Sequence, residues 1–158
     1  LELLLGYALS LPLFEHAPNI GLPVCIGKFM ARALSSPDVR PPFGRYSHGI
    51  EVPPGARFVM TSGQLGIRPD ETIPDDVTAQ AEICFVAIRA ILAEAGMTFA
   101  DVVRIAGFVT RREDFPAYMA VRDRYVTDPL PVSTLVIVTG FTRAEFKVEV
   151  EVTAARVP

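Results

Sequence analysis

From Lys147 to Val157 the chain alternates with a period of two: Val148, Val150, Val152 and Ala154 fall on one side, Lys147, Glu149, Glu151 and Thr153 on the other. Such alternation predicts a strand with one face against a packed layer and the other facing water or a partner. Between Asp75 and Gly96 the period changes. Ile83, Val86, Ala87, Ala90 and Ile91 recur at helical spacing, Asp75 and Asp76 suit a helix N-terminus, and Gly96 suits the C-terminal cap. A second helix is predicted where Phe115, Tyr118, Met119, Arg122 and Tyr125 repeat. Asp114 is its expected N-cap, Pro116 fits its first turn, and Asp128-Pro129 ends it.

Three further segments read as strands. Arg57 to Gln64 is rich in β-favouring residues and gives way at Gly63 and Gly66 to a loop running from Arg68 to Pro74. Val102 to Thr110 alternates at Val103, Ile105 and Val109, and Gly107 within it predicts a close backbone approach or a bulge. Ser133 to Phe141 is apolar on both alternating sets, the mark of a buried strand. This order gives an α+β fold, a single layer of sheet with both helices on one face. Two helices cannot cover everything: Met60, Ser62 and the apolar run from Leu135 to Val138 leave the other face partly apolar, which predicts oligomerisation.

Pro37, Pro41 and Pro42 punctuate a stretch expected to be extended and irregular, so the domain is set at residues 43–158 and residues 1–42 at an N-terminal extension. The numbering starts at Leu1 and Met30-Ala31-Arg32 precedes the domain, so the first 29 residues are expected to be an extension or a mis-set start. Leu1 to Leu13 is strongly apolar, yet it carries Glu2, lacks the basic flank of a signal peptide and is too short to span a bilayer. A cytoplasmic protein with no membrane partner is expected.

Composition narrows the chemistry. With 158 residues, half of them apolar, one domain can build a core without staples. The 15 basic and 18 acidic side chains give a net charge of -3, which lacks the electrostatic footprint of a nonspecific nucleic-acid binder. Cys25 and Cys84 have no metal-type spacing and read as reduced, Cys84 as a packed core thiol. No Walker loop, dinucleotide fingerprint, zinc spacing or Ser-His-Asp order appears, so neither cofactor nor metal is implied.

Four blocks carry a resemblance: GRYSHG (Gly44 to Gly49), MTSGQLG (Met60 to Gly66), AQAEICFVAIRAILAEAG (Ala79 to Gly96) and KVEVEVTAARV (Lys147 to Val157). In order and spacing they resemble the RidA (YjgF) family of small imine and enamine deaminases, across roughly Phe43 to Val157. The resemblance implies a chorismate-mutase-like (YjgF-like) fold, a homotrimer, and small-molecule ligands held in clefts between subunits. It also implies roles. Tyr46 matches a tyrosine that walls the cleft, Gly63 the glycine whose backbone faces the ligand, and Glu149 the glutamate that positions or activates a water.

Elsewhere the chain departs from the family. Met119 stands where the deaminases often show asparagine, and Ser133 stands two residues after Pro131, where they place a carboxylate-binding arginine. An arginine fork holds a carboxylate through two charge-assisted bonds, and a serine hydroxyl does not replace it. At about 1.5 to 3 kcal/mol per bond, the loss amounts to roughly a hundredfold or more in binding an α-imino acid. Arg122, near Met119 on the same helix, and Arg45, beside Tyr46, are the candidate substitutes, although helix and loop arginines are mostly solvated surface charges. His48 falls where relatives usually carry glutamine and offers an ionisable imidazole; its ordinary role is a loop-end histidine bonded to backbone. Thr61, Ser62 and Gln64 are possible donors that ordinarily serve backbone groups. The expected function is an imine or enamine hydrolase with an altered substrate. Its alternative is a noncatalytic trimer that binds a small metabolite, and a ribonuclease is disfavoured by the acidic balance.

Overall fold

The structure, a computed structural model, describes residues 31–158. Cys25, the apolar run from Leu1 to Leu13 and the start at Met30 lie outside the described residues. In chain order the elements are β1 (Arg32–Leu34), β2 (Gly49–Glu51), β3 (Arg57–Met60), β4 (Gln64–Leu65), α1 (Val77–Glu94), β5 (Val102–Val109), α2 (Phe115–Tyr125), β6 (Val132–Ile137) and β7 (Val148–Arg156). Short 3₁₀ turns at Phe99–Asp101 and Arg112–Asp114 lead into β5 and α2.

The main sheet runs β3, β7, β5, β6, with β4 also on β7. Because Glu149 and Val150 pair with β5 on one side, β4 takes their other side and continues the β3 edge. β7 is antiparallel to both neighbours, whereas β5 and β6 are parallel and joined through α2. The last strand in sequence is therefore inserted between the first two βαβ strands. Its alternation made this possible. Val148, Val150, Val152 and Ala154 are buried against the helical layer, where Ala81, Cys84, Phe85, Ile88 and Leu92 of α1 meet Ile105 and Val109 of β5. Phe85 of α1 and Tyr118 of α2 approach with ring centroids 6.3 Å apart, so both helices share one face of the sheet.

Local chemistry explains the boundaries. Asp76 Oδ2 accepts from Ala79 N at 2.8 Å and starts α1. Its far end is closed by Gly96 at φ +67°, with Arg57 donating to Ala95 O and Arg156 to Gly96 O, each at 2.7 Å. Asp114 precedes α2 but does not cap it: both its oxygens accept from Arg111, and Pro116 has removed one of the backbone donors a cap would serve. At Gly107 the close approach is realised. A Cβ there would lie 2.6 Å from Tyr118 Cζ, while the irregularity in β5 falls at Val102–Arg104.

Three expectations need correction. The strand expected over Arg57 to Gln64 is broken at residues 61–63, where Thr61 bonds Val152 twice, through its own N–H (3.0 Å) and through Oγ1, which accepts from Val152 N (3.1 Å). A side chain replaces one rung of the ladder, and the chain bends out at Ser62 and Gly63. β6 is not buried on both sides; it is an edge strand with Thr134, Val136 and Ile137 exposed, because a strand at the margin has no neighbour to cover it. Lastly, Arg32–Leu34 pairs antiparallel with β2, so a strand of the fold lies within residues 1–42, which were expected to form an N-terminal extension. Among the described residues no helix is long and apolar enough to cross a membrane.

Candidate functional site

Glu149 points from β7 to the helix-free face, in register with Leu65 and Phe108. Its carboxylate lies over the bend that follows β3. A Cβ built at Gly63 would stand 2.6 Å from Glu149 Cδ and 2.8 Å from its Cγ, so a larger residue there would have to displace the carboxylate. Gln64 Nε2 donates to the Ser62 carbonyl at 3.2 Å, which braces the bend. This brings together two of the residues singled out from the sequence.

Six others gather along the β6 edge of the sheet. Ser47 N donates to Pro131 O at 3.0 Å and Ser47 bridges Val132, so the segment carrying Tyr46 and His48 runs beside the start of β6. The Tyr46 and His48 rings lie 6.1 Å apart, and His48 is exposed. Met119 Cε lies 3.9 Å from where a Cβ on Gly44 would be. Arg122 is the surprise. Expected on the surface, it is 1% exposed, the largest buried side chain among the described residues. Its Nε donates to Asp123 Oδ1 at 2.9 Å, one terminal nitrogen to Ser133 Oγ at 3.0 Å, and the other to Arg45 O at 3.0 Å and to Asp123. Arg45 reaches back to the carbonyls of Asp123 (3.3 Å) and Val126 (3.4 Å) at the end of α2.

Neither arginine is thus free to take over a missing anchor. Arg122 has its fork filled and its charge compensated by Asp123, a partner absent from the candidate residues named above. The signal was there in the spacing: Tyr118, Met119, Arg122 and Tyr125 form one stripe, and a stripe that buries Tyr118 carries Arg122 inward with it.

The two groups do not meet within one copy. Ser133 pairs with Ile105 and Glu149 with Phe108, so the two side chains leave opposite faces of the sheet. They are two strands apart, about 10 Å, and three residues apart along the strand direction, about 10 Å more. Several ionisable groups with clear shifts lie elsewhere. Burial pushes the Cys84 thiol up to about 12, with a smaller push from the Glu149 charge. Burial also raises the Tyr118 hydroxyl, whose oxygen has no hydrogen-bond partner among the described residues. Among the described residues no group of three or more His, Cys, Asp or Glu side chains could hold a metal ion.

The family described as Endoribonuclease L-PSP matches residues 37–156. Protein DfrA of Myxococcus xanthus is 35% identical over 128 residues, covering 79% of this chain and 96% of that protein. The 2-iminobutanoate/2-iminopropanoate deaminase of Escherichia coli is 27% identical over 131 residues, covering 80% of this chain and 99% of the enzyme. Among solved structures, the Rid-family protein YyfB of Yersinia pestis, of unknown function, superposes with a TM-score of 0.70 at 24% identity, over 80% of this chain and 98% of that one. TdcF of Escherichia coli with bound serine gives 0.58 at 28% identity, over 79% and 98%.

Proposed function

The chain belongs to the YjgF/RidA family, and from that premise we propose that it hydrolyses reactive imines or enamines whose anchoring group is not a free carboxylate. The observation that carries the reading is the Glu149 carboxylate packed over Gly63 on the open face. There the carboxylate acts as general base. It takes a proton from water as the oxygen attacks the C=N carbon, the nitrogen is protonated, and the carbinolamine collapses to a carbonyl compound and ammonia. Curated relatives from Dermatophagoides farinae and Escherichia coli that carry the deaminase name support the reaction class. Ser133 supports the altered substrate.

In this proposal the fold is chorismate-mutase-like and the working unit is a homotrimer. Glu149 and Gly63 lie near the β3–β4 edge and Tyr46, His48, Met119 and Ser133 near the β6 edge, so a complete site needs one half from each of two copies. Unlike halves at opposite edges favour a head-to-tail contact, which closes into a ring and not into a two-fold dimer. Phe58, Met60 and Val136, all exposed on the helix-free face, supply apolar surface for it. Tyr46 and His48 then wall the cleft, Met119 lines its base, and Arg122 acts through Ser133.

The test is a panel of freshly generated imines and enamines, acids and neutral derivatives, assayed for ammonia release with the wild type and Glu149→Gln. Turnover of a neutral member that falls at least about a hundredfold in the variant is expected. Turnover that Glu149→Gln leaves unchanged removes Glu149 from the mechanism, and binding without turnover by any member favours a noncatalytic metabolite-binding role.

A further inference from the structure

Arg122 and Ser133 define a donor. A guanidinium has only N–H groups to offer, so at 3.0 Å the Ser133 oxygen is the acceptor and its own O–H remains to be given away. Among the described residues that hydroxyl donates to nothing, and Ser133 is half-buried at the β6 edge beside the Tyr46–His48 segment. Its rotation is restricted: one lone pair is tied to a side chain that is 1% exposed and itself fixed by Asp123 and Arg45 O. A neighbouring cation also polarises the hydroxyl and makes it a stronger donor.

The charge around the hydroxyl sets what it binds. Arg122 is paired with Asp123, so the unit behind Ser133 is neutral. Arg45 is the other cation nearby, and its guanidinium is turned to the Asp123 and Val126 carbonyls, at the negative end of α2. Among the described residues a free carboxylate therefore meets one hydroxyl and no uncommitted cation, and it must shed its water for a single bond. A neutral carbonyl oxygen loses far less water for the same bond.

We infer that Ser133, held by Arg122 as a positioning residue, is the specificity-determining donor for a neutral carbonyl next to the C=N carbon, so that the substrate class is the α-imino amide. This rests on the imine-hydrolase reading and on Ser133 facing the ligand cleft.

Two stable carbonyl counterparts, 2-oxobutanamide and 2-oxobutanoate, probe it by calorimetric titration of the full chain. The amide is expected to bind at least about tenfold more tightly than the acid. Ser133→Ala should weaken the amide about fivefold to tenfold, the worth of one hydrogen bond, and leave the acid unmoved. Ser133→Thr, which keeps a hydroxyl, should retain the preference, and Arg122→Met should lose it while Ser133 is still present. An acid bound as well as the amide overturns the inference and leaves the hydrolase standing, as does an amide preference indifferent to Ser133→Ala. If wild type binds neither compound, the inference falls; loss of the hydrolase reading is decided separately by the ammonia assay with Glu149→Gln.

Discussion

The Glu149 side chain lies over the backbone of Gly63 so closely that a Cβ at residue 63 would stand 2.6 Å from its Cδ. Gly63→Ala therefore pushes on the far end of a flexible side chain and not on the fold. We expect activity on a neutral imine to drop about a hundredfold, since displacing a catalytic group by about 1 Å has that cost, with a stability change below about 1 kcal/mol. Steady-state kinetics beside a thermal melt check both halves. A variant as active as wild type would mean that the carboxylate works from another position.

Gln80 is a second close fit, of structural consequence only. Fully buried, it donates to Pro74 O (2.7 Å) and Glu145 O (2.8 Å) and accepts from Lys147 N (2.9 Å), tying α1 to the segment that enters β7. Gln80→Leu keeps the volume and strands three backbone groups, so a loss of roughly 3 kcal/mol is expected. Urea unfolding, read as a midpoint shift at unchanged slope, measures it.

Alkaline pH should destabilise the protein. Burial pushes the Cys84 thiol from 9.0 up to about 12; burial and the hydrogen bond to Glu82 push the Tyr125 hydroxyl up to about 12; burial raises Tyr118 as well. Each group holds its proton more tightly folded than unfolded, so its contribution is whole below the unfolded value and is lost as pH climbs through the folded one. Urea midpoints should fall from about pH 9 upward. Alkylation at neutral pH, mapped by mass spectrometry, should spare Cys84 until urea unfolds the chain.

Met60 is 76% exposed on the helix-free face, so Met60→Glu costs a single folded chain almost nothing. If that face joins copies, a buried carboxylate there is costly. Sedimentation should show the wild type as a trimer and the variant shifted toward monomer, with activity lost in parallel because each site is then halved. A wild type that sediments as a monomer at micromolar concentration would end the shared-cleft reading.

How much was legible beforehand varies by element. The helix from Val77 and the last strand emerged almost residue for residue, because Asp76, Gly96 and the Glu–Val alternation act over a few neighbouring residues. β6, expected over Ser133 to Phe141, ends at Ile137, and its exposure was misjudged, since an apolar strand reads alike whether its cover comes from its own chain or from another. Arg122 was assigned to the surface on the habits of its residue type. What buries it is a set of partners up to 77 residues away.

The linear order of residues thus dictated where helices and strands form and which side of each turns inward, because periodicity and end-capping are short-range physics. Which strands lie side by side was set by long-range pairing. Insertion of β7 between β3 and β5, and the parallel register of β6 on β5, put Ser133 and Glu149 on opposite faces of the sheet and two strands apart. One residue of slip in either register would reverse that relationship without altering a local preference.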